Sequence, residues 1–257
     1  MDESFGSRTV VASLLSRKPP PTENSASAQS FGLRAASAKT GSFSAYLSVP
    51  QNPRAPGLIV LPEIYNSNEH IRAVADRFAE EGYLSLAPDV FWRLHPDRYL
   101  PYTPDGLKMA RELNEKLDVD QLVEDLGIAI ETLRNHPKCS VLVGSVGFCL
   151  GGKLSFLCAA RNEIHAAVSY YGVNIESYLE EVEQVTCPTL LHFAGNDPRV
   201  PSASREAIEN GISSNPNIST RLYEGAEHGF NRLGYPPYHK ESADLAWRRT
   251  ISLFDEH

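Results

Sequence analysis

Apolar residues along this chain fall into two recurring patterns. The first is a short run with almost no polar interruption. It appears at residues 57–62 (GLIVLP), 83–90 (YLSLAPDV), 140–148 (SVLVGSVGF), 166–172 (AAVSYYG) and 188–195 (PTLLHFAG). Such runs predict strands buried on both faces of a sheet. The second is helical spacing, clearest over Asn68–Glu81, where Ile71, Val74, Ala75 and Phe78 recur at intervals that place them on one face. Asp105–Lys116, Val119–Arg134, Leu150–Arg161, Ser202–Gly211 and His239–Phe254 read as further helices. Residues 43–50 (FSAYLSVP) alternate as a strand does, and residues 219–225 (STRLYEG) form the last strand. Strands and helices alternate without an internal repeat. The expected fold class is α/β, a mostly parallel central sheet with helices on both faces.

Neither pattern is present before residue 31. A short apolar patch, Val10–Leu15, is followed by Pro-Pro-Pro and a Ser/Ala/Asn stretch. Residues 1–30 are expected to be a disordered tail and residues 31–257 a single domain. No basic segment precedes the patch, and Asp2 and Glu3 argue against a signal peptide. No apolar run approaches the ~20 residues of a membrane span.

The net charge of −8 disfavours nucleic acid as a partner, because a surface of that sign repels phosphate backbones. The cysteines, Cys139, Cys149, Cys158 and Cys187, form no CxxC pair, so no zinc or dithiol redox site is indicated and no metal or organic cofactor is expected. Cys158 and Cys187 read as buried free thiols, which fits a reducing, cytoplasmic compartment. A small molecule is the expected partner of a monomer or homodimer that does not associate with membranes.

The strongest local signal is Gly147-Phe148-Cys149-Leu150-Gly151-Gly152, between an expected strand and an expected helix. This is the G-x-nucleophile-x-G elbow with Cys in place of Ser. The nucleophile of such an elbow sits on a sharp, strained turn, so its neighbours two positions away must be small. The turn also places the thiol at a helix N-terminus, whose positive end favours thiolate. The plain alternative is a structural Cys in a glycine-rich turn. Two further residues stand in the chain order of an α/β-hydrolase, nucleophile then acid then His. Asp197 lies in GNDPRVP after one strand, and His228 lies in AEHGFNR after the last. Both fall at carboxyl ends of strands, where sites of open α/β sheets form. His228 would take the thiol proton and pass one to the leaving group, and Asp197 would hold the imidazole tautomer. Taken singly, Asp197 could be a turn former and His228 an exposed loop residue. His192, inside a strand, reads as a packed core residue.

LPEIYNSNEHIR, APDVFWR, GFCLGGKLSF, AAVSYYGV, GNDPRVP and AEHGFNR together resemble the dienelactone hydrolase (carboxymethylenebutenolidase) family of the α/β-hydrolase fold, over roughly residues 33–254. The resemblance implies a cysteine hydrolase that cleaves a small lactone or ester through an acyl-enzyme. It implies that Glu63 receives the thiol proton when substrate enters, the thiol resting neutral until then. It implies an oxyanion hole from the backbone N–H groups of Ile64 and Leu150, and it implies that Arg232 grips a substrate carboxylate.

The chain departs from the family at one point. An ungapped count back from Asp118 puts Leu107 where the family has a second carboxylate-binding arginine, with Arg111 and Asn114 where it has aromatics. Lys108 and Arg111 are the neighbouring candidates for that charge. A neutral or larger ester, with Leu107, Tyr99 and Tyr102 lining the pocket, is the other reading. A broader carboxylesterase is the alternative within the class. Outside it stand a silent ligand-binding protein of the same fold and a redox-sensing thiol protein. The intact triad opposes the first, and the lack of a nearby resolving Cys opposes the second.

Overall fold

The computed structural model describes residues 13–15, 31–37 and 41–257. Nine strands form one sheet among the described residues, in the order β1-β2-β3-β5-β4-β6-β7-β8-β9. These are β1 (Ser13–Leu15), β2 (Phe31–Ser37), β3 (Gly41–Ser48), β4 (Ala55–Leu61), β5 (Leu84–Pro88), β6 (Cys139–Phe148), β7 (Ala167–Tyr170), β8 (Thr189–Ala194) and β9 (Ile218–Tyr223). The first three are antiparallel to their neighbours, and β5 through β9 pair in parallel. The helices are α1 (Glu69–Glu80), α2 (Pro104–Glu115), α3 (Val119–Arg134), α4 (Leu150–Arg161), α5 (Ser202–Ile212) and α6 (Lys240–Glu256).

The sheet has two cores because strand side chains alternate in direction. On β4, Ile59 and Leu61 join the core that holds residues of α3, α4 and α5, while Leu58 and Val60 join the one under α1 and α6. β8 divides in the same way, Leu191 and Phe193 to one side and Leu190 and Ala194 to the other. Continuous apolar runs are therefore what a twice-covered strand requires. A third, small cluster of Tyr65, Leu100 and Ala110 holds α2 against the loop after β4, with Ile64, Leu107 and Leu113 packed on it.

Every helix anticipated from the spacing is present. Three elements were not anticipated. β1 and β2 lengthen the antiparallel edge, pairing Ser13 with Arg34 and Phe31 with Leu47. Ser13–Leu15 thus forms a strand inside the segment expected to be a disordered tail, whereas residues 1–12 and 16–30 of that segment lie outside the described residues. A 3-10 segment, Ile175–Gln184, follows β7 with a kink at Tyr178.

Helix entries are set by side chains at three places. Asn68 accepts from the Ile71 N–H, Thr103 from Gly106 and Asp118 from Gln121. α4 is different, because its N-cap is Cys149 and no side chain caps it. Cys149 has φ 56° and ψ −112°, a strained left-handed conformation for a residue with a side chain. Its N–H donates to the Tyr170 carbonyl at 3.0 Å, and the Gly151 N–H donates to the Pro62 carbonyl at 2.9 Å. These bonds clamp the turn between β4 and β7. A Cβ on Gly151 would lie 2.2 Å from the Leu61 carbonyl oxygen, and one on Gly147 would lie 1.8 Å from the Gly151 oxygen. The small residues of the elbow are thus required by backbone contact.

His192, on β8, is fully buried, with Nδ1 against the Tyr223 hydroxyl at 2.9 Å and Nε2 against Thr250 Oγ1 at 3.1 Å. Thr250 also meets the Tyr170 hydroxyl at 2.7 Å, so a polar network ties α6 to the sheet. Burial, reinforced by Arg249 and Arg221, lowers the His192 pKa from 6.5 to about 3.

Two predictions follow from these contacts. Gly151→Ala should destabilise the protein by at least ~1–3 kcal/mol, since the added methyl meets fixed backbone and not a movable side chain; its Tm measures this. As pH falls from 6.5 toward 3, the unfolded chain protonates His192 and the native state does not. Wild type should therefore lose stability relative to His192→Gln by up to about 1.4 kcal/mol per pH unit in that window, and not above it. Urea unfolding at several pH values reads the difference.

Candidate active site

The elbow delivers Cys149 to the carboxyl edge of the sheet, between the ends of β4, β7, β8 and β9. The thiol is nearly buried. Leu150 is the first residue of α4, where backbone N–H groups have no partner within the helix. The next N–H, that of Gly151, is taken by Pro62. The Leu150 N–H is thus a donor beside the thiol, and Ile64 follows Glu63 in the adjoining loop after β4.

Asp197 and His228 are brought together by the two loops that follow β8 and β9. Asp197 Oδ1 accepts from the N–H groups of Arg199 at 2.8 Å and Val200 at 3.2 Å. This turn fixes the carboxylate and directs Oδ2 to His228 Nδ1, 2.8 Å away. His228 Nε2 is buried with no hydrogen-bond partner of ordinary geometry among the protein atoms. Burial alone would lower the His228 pKa. The charge Cys149 carries once ionised and the Asp197 hydrogen bond outweigh it, so that beside a thiolate the value rises to about 9. The imidazole therefore has one nitrogen anchored by a carboxylate and the other available, with Cys149 as its strongest charge neighbour. Phe230, packed on Tyr171 and Tyr223, holds the loop that carries His228.

Glu63, in the loop after β4, is 1% exposed. Arg232 Nε donates to both of its oxygens at 2.9 Å, and the Tyr102 hydroxyl donates to Oε2 at 2.9 Å. Burial would lower the Arg232 pKa, but the Glu63 charge raises it further above its ordinary value. The guanidinium lies 5.0 Å from the centre of the Tyr102 ring and 6.0 Å from that of Tyr65. Tyr235 packs edge-on against Tyr102 at 4.8 Å and against His70 at 6.2 Å. An aromatic wall thus surrounds a buried ion pair.

Local structure places both partners. Asn66, after Glu63, donates to Asp89 at 2.6 Å and accepts from the Val90 N–H at 3.0 Å, which pins the Glu63 loop to the end of β5. At Gly229 (φ 91°) a Cβ would come within 2.8 Å of the Arg232 guanidinium carbon. The absence of a side chain at 229 lets Arg232 fold back over the loop and reach Glu63.

Of the residues singled out in the sequence, Cys149, Asp197, His228, Glu63, Ile64, Leu150 and Arg232 converge at this edge. Lys108 and Arg111 do not join them. Both are on the exposed face of α2, whereas Leu107 faces Tyr65 and Ile64. Tyr102 is in the site through Glu63. Tyr99 instead stacks on Arg72, 4.3 Å from the guanidinium carbon to the ring centre. Sequence reasoning did not single out Tyr65, His70, Tyr171 or Tyr235. Tyr65, His70 and Tyr171 lie within motifs it did use, but no spacing rule gives their direction. Tyr235 reaches the site through loop packing that leaves no linear signal. No cluster of His, Cys, Asp and Glu suited to a metal ion occurs among the described residues, and none of their helices is long and apolar enough to cross a membrane.

Known proteins resemble this chain over most of its length. Residues 43–257 match the model of the dienelactone hydrolase family. A putative carboxymethylenebutenolidase of Azospirillum brasilense is 34% identical over 229 residues, covering 84% of this chain and 94% of that protein. The carboxymethylenebutenolidase of Pseudomonas putida is 35% identical over 212 residues, covering 82% and 90%. Among solved structures, a putative dienelactone hydrolase from Klebsiella pneumoniae superposes with a TM-score of 0.77 at 26% identity, covering 97% of this chain and all of that one. The chain therefore belongs to the dienelactone hydrolase family, carboxylic ester hydrolases built on the α/β-hydrolase fold.

Proposed function

We propose that this hydrolase opens a small ester or lactone bearing a carboxylate, with Cys149 as nucleophile and through an acyl-enzyme. The observation that carries this reading is the Asp197–His228 hydrogen bond, which leaves the buried Nε2 unpartnered with Cys149 as its strongest charge neighbour. The thiolate attacks the substrate carbonyl, and the developing oxyanion is met by the N–H groups of Leu150 and Ile64. The substrate C–O bond breaks as the thioester forms, and the leaving oxygen departs as an enolate, or as an enol or alcohol by taking up the proton that left the thiol. His228 then takes a proton from water as that water attacks the thioester, and Asp197 balances the imidazolium.

Glu63 and Arg232 supply the recognition. In the substrate-free arrangement Glu63 is occupied by Arg232 and Tyr102. It can take the thiol proton only after Arg232 has left it. A substrate carboxylate competes with Glu63 for the same guanidinium, so anion binding frees the base. The thiol is thereby activated when substrate is present, in keeping with the role the family resemblance implies. Lys108 and Arg111 have no part in this reading, because they are exposed on the far face of α2. One cation serves the substrate, and Leu107, Tyr65 and Tyr102 make the rest of its pocket apolar and aromatic.

Cys149→Ala should fold with an unchanged Tm and lose turnover of p-nitrophenyl esters. Cys149→Ser should be far weaker than wild type, since a hydroxyl needs stronger base activation than a thiol. Rapid quenching of wild type followed by intact-mass measurement should show an acyl group on Cys149; full activity in the folded Ala variant would end the assignment. For Arg232→Ala, the KM for a carboxylate-bearing ester should rise roughly tenfold to a hundredfold relative to that for a neutral ester, the equivalent of about 1.5–3 kcal/mol. Steady-state kinetics with p-nitrophenyl hemisuccinate and p-nitrophenyl butyrate make the comparison. Equal losses on both would assign Arg232 a structural role only.

A further inference from the structure

Tyr171 directly follows β7 and carries two local costs. Its φ of 40° is left-handed, which is unfavourable for an aromatic residue. Its hydroxyl is buried and has no hydrogen-bond partner. The ring is fixed edge-on to His228, with centroids 5.0 Å apart, and to Phe230 at 5.4 Å. Its backbone N–H is anchored on the His192 carbonyl at 2.8 Å. A strained residue holding an unmet donor beside a catalytic histidine suggests that the donor has a partner in another state of the site. After burial, the influence that bears most on the hydroxyl is the Glu63 carboxylate, followed by Arg232, Tyr102 and Cys149.

Glu63 presents the complementary problem. It is buried, and its donors are Arg232 and Tyr102. When a substrate carboxylate draws Arg232 away, Glu63 keeps only Tyr102. A buried carboxylate that loses its cation is strongly destabilised unless another donor replaces it. The buried, unpartnered Tyr171 hydroxyl, within the field of the Glu63 charge, is then the free donor.

We infer that Tyr171 is a positioning residue for Glu63, its hydroxyl donating to the carboxylate once Arg232 has turned to the substrate. The hydrogen bond lowers the cost of parting Glu63 from Arg232, and so favours binding of a carboxylate-bearing ester. It also holds Glu63 on the Cys149 side of the pocket, where it meets the thiol proton. This rests on the reading of Arg232 as the grip on the substrate carboxylate.

The test is Tyr171→Phe, which removes one oxygen and keeps the ring packing. The Tm should equal or exceed that of wild type, because the hydroxyl has no acceptor in the resting protein. Tyr102→Phe, which loses a bond present in that state, should lower it. In Tyr171→Phe the ratio of KM for p-nitrophenyl hemisuccinate to KM for p-nitrophenyl butyrate should rise on the order of tenfold, while the ratio of the two kcat values stays near that of wild type. A lowered Tm in Tyr171→Phe would show that the hydroxyl is already bonded at rest and would overturn the inference. So would an unchanged KM ratio. Arg232→Ala separates the two levels. If it raises the KM ratio and Tyr171→Phe does not, only the inference falls. If neither changes the ratio, the carboxylate grip is absent and both readings fall.

Discussion

The contact on which this site depends is the approach of backbone to backbone at the elbow. β4 and the first turn of α4 lie so close that the Gly151 N–H reaches the Pro62 carbonyl, with no room for a methyl group at 151. That approach forces Cys149 into a left-handed conformation and points it out of the sheet. It also joins the two segments that flank the reacting carbonyl, because Pro62 leads directly into Glu63 and Ile64 while Gly151 follows Leu150. Proposed donors and nucleophile are thus parts of one rigid junction. The strain at Cys149 is held by the parallel sheet on either side, through β4 and through the Cys149–Tyr170 bond to β7.

Charge in the site is arranged as two couples. Asp197 with His228 is the first; Glu63 with Arg232 is the second. Each carboxylate is nearly out of solvent and held by directional donors, so neither couple can be broken without another partner to replace the lost one. For the first couple the replacement is internal, since protonated His228 remains bonded to Asp197. For the second, on the proposed reading, a substrate carboxylate takes Arg232 and the Tyr171 hydroxyl takes its place on Glu63. On that reading a neutral ester would leave the couple intact. Selectivity for a carboxylate can therefore reside in access to the base as well as in binding strength.

Much of the fold was legible because a sheet covered on both faces writes continuous apolar runs, and each of those runs is a strand in the structure. β1 and β2 were not legible. They belong to the antiparallel edge, where the sequence FGLRAAS has only Phe31 and Leu33 as large apolar residues and the pairing partner defines the strand. The chain order of Cys149, Asp197 and His228 was legible because the fold places each at a strand end. The pairing of Arg232 with Glu63 was not, since the residues are separated by 169 positions and meet through a loop that folds back at Gly229. Lys108 and Arg111 show the limit of position counting. Lys108 adjoins Leu107 in sequence, but adjacent helix positions point to different faces; Arg111, one turn further on, is exposed as well.

The two histidines nearest the sheet centre make the same point in energetic terms. Both are buried, and burial acts on both in the same direction, against the charged form. His192 meets only hydroxyl groups and nearby arginines, so nothing offsets that cost and its pKa falls to about 3. His228 is bonded to Asp197 through one nitrogen and leaves the other unpartnered, and beside an ionised Cys149 its pKa rises to about 9. A neutral ring with both nitrogens bonded to neutral partners can serve as a core strut tying α6 to the sheet. A ring anchored on a carboxylate, with its second nitrogen free, holds a proton once a thiolate forms beside it. The difference lies entirely in the anions that two loops bring to the carboxyl edge of the sheet, one strand-end beyond the position of His192.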